Sequence, residues 1–206
     1  MWRWGRSYYY NGYYRLFRFR VGLGWYDLRL GRFAPGSQTI FVKDVDVHPE
    51  YFRYKVGKIY VPNDIAVLTL EKCATITKTV QIIPLAVRGS FVNQRCSLTG
   101  WGVNRRDIDN RFILQRTETT IISNKLCRDF WRLARSSISK KQLCTLDWPY
   151  KLSTACSGDS GSPLVCDGKF VGIVSWGLTY CNGCFPDVFT RVSSFTDWIH
   201  KIELKH

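Results

Sequence analysis

A serine between two glycines is the residue of this sequence best placed to act as a nucleophile. Ser160 lies in "CSGDSGSPL" (156–164), after Asp159, and Gly158 and Gly161 permit a tight turn around it. A serine hydroxyl is a weak nucleophile at neutral pH and needs a general base beside it, such as a histidine oriented by a carboxylate. The segment therefore predicts acyl transfer through a covalent serine intermediate.

The candidates for that base are few, because the chain contains only 3 histidines. His200 falls in a predicted C-terminal helix and His206 is the last residue, so both are expected to be surface groups. His48 follows a predicted strand and precedes the candidate carboxylate Asp64 by a short stretch of chain. A base must come within hydrogen-bond reach of its nucleophile, and none of the three histidines is expected to reach Ser160.

The composition indicates a globular chain that folds around disulfides. Apolar residues make up 45% of the sequence, and no stretch approaches the ~20 apolar residues of a membrane span. The 8 cysteines show no pair of matching CxxC motifs, which favours disulfides over a metal site. Disulfides imply an oxidising, extracellular location. The given chain shows no signal peptide, since its opening lacks a continuous apolar segment and a cleavage site.

The charge is strongly basic, with a formal net value of +14. Arginines and aromatic residues alternate in residues 1–20, a composition that could bind single-stranded nucleic acid or an anionic surface. No nucleic-acid-binding motif follows, and past residue 25 the composition becomes ordinary. We therefore expect no nucleic-acid partner, and we treat 1–20 as a segment foreign to the rest of the chain.

From residue 21 onward, short apolar or alternating runs separated by turn residues predict an all-β fold. The pattern alone does not distinguish a sandwich from a barrel. Two stretches read as helices: 123–134, opened by a Ser123 cap, and 193–204, which Ser193 or Ser194 would cap. The predicted strands include 38–47, 65–70, 80–87, 95–102, 162–166, 169–177 and 187–192.

Several segments, taken in order, resemble those of the chymotrypsin/trypsin family of serine proteases, peptidase family S1. "GDSGSPL" is similar to the family's nucleophile segment, and the other matching stretches are "VHPEY" (47–51), "NDIAVLTL" (63–70), "CSLTGWG" (96–102), "SWG" (175–177) and "PDVFTRV" (186–192). The resemblance covers about 21–204. It implies a protease domain at 21–206 with two antiparallel six-stranded β-barrels and a C-terminal α-helix. The first barrel is expected to be incomplete, and the second to span about 95–192.

The resemblance also implies the roles of the site residues. Ser160 would attack the scissile carbonyl, while the backbone N–H groups of Gly158 and Ser160 would form the oxyanion hole. Asp64 would orient a histidine, and Asp159 would pair with an ammonium group freed by activation cleavage. Ser175, Trp176 and Gly177 would hold the substrate as an added strand. No cofactor and no metal is expected.

Specificity and disulfides follow from the same resemblance. Thr154 would lie at the base of the primary pocket and Asp187 on its opposite wall, which favours basic or mixed substrates. Alternatively, Thr154 and water would bind Asp187 and leave a medium apolar pocket, and Gly177 would keep the mouth open. The implied disulfides are Cys96–Cys166, Cys127–Cys144 and Cys156–Cys181. Cys184 could replace Cys181 as the partner of Cys156, and Cys73 is left over.

Three features of the family are missing from the sequence. The strand "VGLGWY" (21–26) would place the family's histidine near 8–11, where the sequence reads "YYYN" without histidine or cysteine. No activation segment is found either. The first hypothesis is a serine endopeptidase whose chain is truncated and itself weakly active or inactive, a monomer acting on protein or peptide substrates and open to protein inhibitors. The alternative is a non-catalytic homologue that serves as a protein-binding module.

Overall fold

The computed structural model describes residues 19–52, 61–87, 89–103, 112–149, 153–178 and 180–206. In these residues the chain forms two antiparallel sheets and two α-helices. The strands are β1 Arg20–Leu23, β2 Gln38–Val47, β3 Ala66–Leu70, β4 Arg95–Gly100, β5 Gln115–Ile122, β6 Gln142–Thr145, β7 Pro163–Cys166, β8 Lys169–Trp176 and β9 Asp187–Arg191. The helices are α1 Asn124–Leu133 and α2 Thr196–Glu203.

The second sheet is a closed barrel of six strands in the order β4-β5-β6-β9-β8-β7. Alternate residues of β4 point inward, so that Cys96, Leu98 and Gly100 are buried. Because side chains of a strand alternate between its faces, this pattern closes an apolar interior. That interior contains Leu98, Ile121, Leu143, Leu164, Val174 and Phe189.

The first sheet contains three described strands in the order β1-β2-β3 and does not close into a barrel. The first part of β2 pairs with β1, from Gln38 opposite Leu23, and its second part pairs with β3, ending at Val47 opposite Ala66. An incomplete first barrel beside a complete second one agrees with the architecture predicted from the resemblance.

Helix α1 packs against the outside of the second barrel. Ser123 caps it as predicted, its Oγ accepting the Leu126 N–H at 3.1 Å. Cys127 and Trp131 are buried on one face and pack on Val188 of β9. The next residue, Phe189, faces the barrel interior. Strand β9 is therefore covered on both sides, which fixes the position of Asp187 at its start.

Two predictions of secondary structure were wrong in detail, and two strands were not predicted. Helix α2 begins at Thr196, after a 3-10 turn at Val192–Ser194, and has no side-chain cap. Residues 80–87 form an extended connector with one bridge, Leu85 to Phe170, because only isolated residues of it are buried. Strands β5 and β6 were missed, since β5 is polar on one face and β6 has only 4 residues.

No helix among the described residues is long and apolar enough to cross a membrane.

Candidate active site

Ser160 is exposed on a tight loop that leads from Cys156 into β7. Three backbone hydrogen bonds shape this loop: Asp159 N–H to Cys156 O at 2.9 Å, Ser162 N–H to Asp159 O at 2.9 Å, and Gly161 N–H to Val174 O at 2.8 Å. Gly158 has φ 102°, a left-handed conformation that side-chain-bearing residues rarely adopt. The glycine therefore allows the turn that presents Ser160 to solvent.

The N–H groups of Gly158 and Ser160 take part in no hydrogen bond within the described part of the chain. In the same loop the N–H groups of Asp159, Gly161 and Ser162 are bonded, whereas that of Ser157 has no hydrogen bond within the described residues. An oxyanion hole requires N–H donors beside the nucleophile that no other group engages, so the predicted role of these two N–H groups stays a prediction.

Asp159 is buried beneath this loop and held by backbone donors. Gly102 N–H donates to Oδ1 at 2.8 Å and Cys156 N–H donates to Oδ2 at 3.0 Å. Burial raises the pKa of the carboxyl group, and these two hydrogen bonds oppose that rise. A Cβ at Gly100 or Gly102 would clash with the carboxylate. The two glycines of "TGWG" thus make room for Asp159, a role that the sequence alone does not reveal.

Asp64 is held between the two sheets by residues of the second barrel. Ser175 Oγ donates to Asp64 Oδ2 at 2.7 Å, and Thr190 Oγ1 donates to the Asp64 carbonyl at 2.8 Å. Ser175 was expected to bind substrate; in the structure its hydroxyl orients the carboxylate. The expected substrate-binding role of the backbone at Ser175, Trp176 and Gly177 stays a prediction.

None of the three histidines reaches this site. The His48 ring packs on Phe195 and Trp198, with ring centroids at 5.4 and 5.0 Å, and its Nδ1 accepts the Glu50 N–H at 3.2 Å. Burial, followed by the charge of Lys141, lowers the pKa of His48. His200 contacts Glu203, and His206 contacts Asp44 and Asp46. The segment "YYYN" (8–11), where the family's histidine was expected, lies outside the described residues.

The candidate primary pocket contains a buried carboxylate. Thr154 Oγ1 donates to both oxygens of Asp187, at 3.0 and 2.9 Å, and Ala155 N–H donates to Oδ2 at 2.7 Å. Burial raises the pKa of Asp187 to about 7, although these hydrogen bonds oppose the rise. A Cβ at Gly177 would lie 3.0 Å from Asp187 Oδ1. Glycine at 177 therefore leaves the space above the carboxylate open.

One wall of the pocket is supported by aromatic packing. Trp176 makes a T-shaped contact with Trp131 of α1, with ring centroids at 4.6 Å, and Phe185 lies 5.2 Å from Trp131. Trp131 Nε1 donates to the Pro186 carbonyl at 3.1 Å. One buried tryptophan thus supports two segments that flank the pocket, a function that the helical pattern of 123–134 does not reveal.

The three disulfides join Cys96 to Cys166, Cys127 to Cys144 and Cys156 to Cys181. These are the pairs that the resemblance implied. Cys156–Cys181 ties the nucleophile loop to the loop after Gly177. Cys73 and Cys184 are exposed free thiols.

Comparison with known proteins gives consistent matches. The family model for trypsin matches residues 19–199. A chymotrypsin-like serine proteinase of Haliotis rufescens is 32% identical over 188 residues, covering 88% of this chain and 69% of the relative. Duodenase-1 of Bos taurus is 38% identical over 171 residues, covering 80% and 62%.

A chymotrypsin of Phaedon cochleariae is 36% identical over 149 residues, covering 70% of this chain but only 51% of the relative. The chain thus spans between about half and two thirds of the length of these three relatives. Among solved structures, neuropsin, a serine protease of mouse brain, superposes with a TM-score of 0.75 at 29% identity, covering 90% of this chain and 79% of neuropsin.

Proposed function

The chain belongs to the trypsin family of serine proteases, and from this we propose that it is a serine endopeptidase that cleaves peptide bonds through an acyl-enzyme on Ser160. The observation that carries the proposal is the exposed Ser160 beside the unengaged N–H groups of Gly158 and Ser160. Ser160 Oγ attacks the scissile carbonyl, and the two N–H groups stabilise the negative charge that forms on its oxygen.

The other residues of the site position the reacting groups. Asp64, held by Ser175, orients the imidazole that takes the proton from Ser160 and stabilises its cationic form. The strand end at Ser175, Trp176 and Gly177 pairs with the extended substrate backbone. Asp159 supports the loop from below through Gly102 and Cys156.

The 206 residues themselves supply no imidazole at the site, so we propose that this chain alone turns over substrate weakly or not at all. The active enzyme would take its base from outside these residues. Because all three histidines make contacts elsewhere, Ser160 has no base among these residues. This also favours a second candidate, a non-catalytic homologue that binds a protein partner through the same face. The exposed Ser160, in a loop fixed by hydrogen bonds, argues against this second candidate, because a binding surface does not require such a serine.

A peptide substrate with histidine next to the scissile bond distinguishes these two candidates, because it brings an imidazole to Ser160. General base catalysis accelerates a reaction by about 10²–10⁴-fold. An imidazole that Asp64 does not orient should accelerate it by the lower value of this range. We expect this peptide to be cleaved about 10²-fold faster than its matched alanine peptide. The measurement is the initial rate with a quenched fluorescent reporter.

The control is Ser160→Ala, which should abolish the advantage of the histidine peptide. Equal rates for the two peptides in the unmodified chain, together with saturable peptide binding, would support the binding module instead. Ser157→Ala, an exposed serine of the same loop, should leave the advantage unchanged.

We propose that the primary pocket prefers basic side chains because the Asp187 carboxylate lies on its wall, hydrogen-bonded to Thr154. A carboxyl group with pKa about 7 is mostly neutral at pH 6 and mostly ionised at pH 8. Only the ionised form attracts a cation, so the affinity for p-aminobenzamidine, which stays cationic, should rise roughly tenfold over that interval. Fluorescence titration of the bound probe measures it.

Asp187→Asn should remove this pH dependence and weaken binding at pH 8. Asp167→Asn, an exposed carboxylate in the turn between β7 and β8, is the matched control and should change neither. If the affinity of the unmodified chain for the probe did not depend on pH, the Asp187 carboxylate would interact with Thr154 and not with the bound cation. The pocket would then prefer apolar side chains.

We further propose that the protein acts outside the cell as a monomer on protein or peptide substrates and meets protein inhibitors there. The three disulfides support the extracellular location, because such bonds persist in oxidising compartments.

A further inference from the structure

Three cysteines compete for one disulfide beside the proposed pocket. Cys156 and Cys181 are bonded, while Cys184, three residues after Cys181 in "CNGC", is a free exposed thiol. Cys156 and Cys181 are only half-buried. The four cysteines of the other two disulfides are at most 2% exposed. A thiol can therefore approach the Cys156–Cys181 bond, whereas the other two bonds are enclosed in the core.

The backbone bends between Cys181 and Cys184. Gly183 has φ 66°, and Cys184 N–H donates to Asn182 Oδ1 at 3.1 Å, so the side chain of Asn182 stabilises a bend between the two cysteines. A Cys181–Cys184 bond needs Cα atoms about 4.4–6.8 Å apart, a separation that four residues can reach when they fold into a turn. C-x-x-C segments also carry out thiol exchange in oxidoreductases.

We propose that Cys184 is a thiol–disulfide exchange site that releases Cys156. The Cys184 thiolate attacks Sγ of Cys181, and the Cys181–Cys184 bond forms as the Cys156–Cys181 bond breaks. The electron pair leaves on Cys156 Sγ, which takes up the proton that Cys184 gave to solvent. One disulfide and one thiol stand on each side of the reaction, so no oxidant or reductant is needed.

Chain entropy does not oppose this exchange. A disulfide removes loop-closure entropy from the unfolded chain in proportion to the logarithm of loop length, and the product closes a much shorter loop. The folded structure must therefore hold the Cys156–Cys181 pairing through local contacts. These are the hydrogen bond from Cys156 N–H to Asp159 Oδ2 at 3.0 Å and the bond from Cys181 N–H to Leu178 O at 3.2 Å.

The consequence for the pocket rests on the proposed function. In the observed pairing, Cys156 ties the nucleophile loop to the loop after Gly177. In the exchanged pairing, that tie is lost and the loop that presents Gly158 and Ser160 is anchored by its backbone hydrogen bonds and by the Asp159 carboxylate. The exchange therefore loosens the proposed oxyanion site while the barrel core stays intact.

The test is time-resolved alkylation of the full chain, purified without reductant and held at about pH 8.5, near the ordinary pKa of a thiol. Samples are labelled with a maleimide, digested and mapped by mass spectrometry. We expect label on Cys73 and Cys184 at the start, and then a growing label on Cys156 that matches a declining label on Cys184. A peptide with an internal Cys181–Cys184 bond should appear in parallel.

Two variants serve as controls. Cys184→Ser should leave Cys156 unlabelled throughout, whereas Cys73→Ser removes the other exposed free thiol and should leave the labelling of Cys156 unchanged. If Cys184→Ser does not fold, brief alkylation of Cys184 in the unmodified chain before the pH is raised gives the same block. The label is read without substrate, so the result does not depend on whether the chain is a protease.

Label confined to Cys73 and Cys184 would overturn the proposal, as would label on Cys181, which would mean that Cys184 pairs with Cys156 instead. Cys96, Cys127, Cys144 and Cys166 report global unfolding, because their disulfides are buried. Labelling of Cys156 that does not precede labelling of these four would also overturn it.

Discussion

Hydrolysis of an ordinary peptide by the 206-residue chain is expected to be about 10⁶-fold slower than hydrolysis by a complete serine–histidine–aspartate triad. The reason is that all three histidine rings contact other groups: His48 contacts Phe195 and Trp198, His200 contacts Glu203, and His206 contacts Asp44 and Asp46. Binding and the oxyanion donors should still leave about 10³–10⁴-fold over the uncatalysed reaction. Release of a fluorogenic leaving group measures the rate.

Substitution of the nucleophile makes this prediction sharp. The members of a triad act as a unit, so once one member is missing, removal of another changes the rate very little. Ser160→Ala is therefore expected to leave the residual rate of the chain within about twofold of its starting value. A tenfold or greater fall, with Ser157→Ala unchanged, would show that some base does activate Ser160 and that the chain is a working protease as it stands.

Trp131→Ala is expected to destabilise the fold by about 3–5 kcal/mol, the usual cost of removing a fully buried aromatic side chain. Trp131 is 0% exposed, packs on Trp176 and Phe185, and donates a hydrogen bond to Pro186 O. Its loss leaves a cavity and an unpaired carbonyl beside the pocket. The expected fall in melting temperature is about 6–20 °C for a chain of this size, measured by calorimetry or circular dichroism.

Leu133→Ala is the matched control, since Leu133 lies on the same helix but is 78% exposed. It should change the free energy of unfolding by no more than about 0.5 kcal/mol. If Trp131→Ala behaved like Leu133→Ala, helix α1 would not support the loops at Trp176 and Pro186 as the structure indicates. A destabilised but folded Trp131→Ala chain should also bind p-aminobenzamidine more weakly, because both supported segments flank Asp187.

The sequence by itself determined the elements whose local signals are strong. The glycines around Ser160 predicted an exposed turn, and Gly158 adopts the left-handed conformation that such a turn requires. The Ser123 cap predicted the start of α1 because a capping hydroxyl acts within one turn of helix. The strand at 38–47 was predicted with its observed limits, since it is rich in β-branched residues that favour strands. The absence of a suitably placed histidine was also a prediction that the sequence alone could make.

Only the tertiary structure decided which partners the polar side chains find. Nothing near Ser175 in the sequence indicates that its hydroxyl binds Asp64, 111 residues away, and nothing near Gly102 indicates that its N–H binds Asp159. The contact between Thr154 and Asp187, 33 residues apart, was only one of two alternatives that the family resemblance implied, and the structure shows that this hydrogen bond forms. Local propensities act over a few residues, whereas these contacts exist because barrel closure brings distant strand ends together and burial then requires each polar group to find a partner.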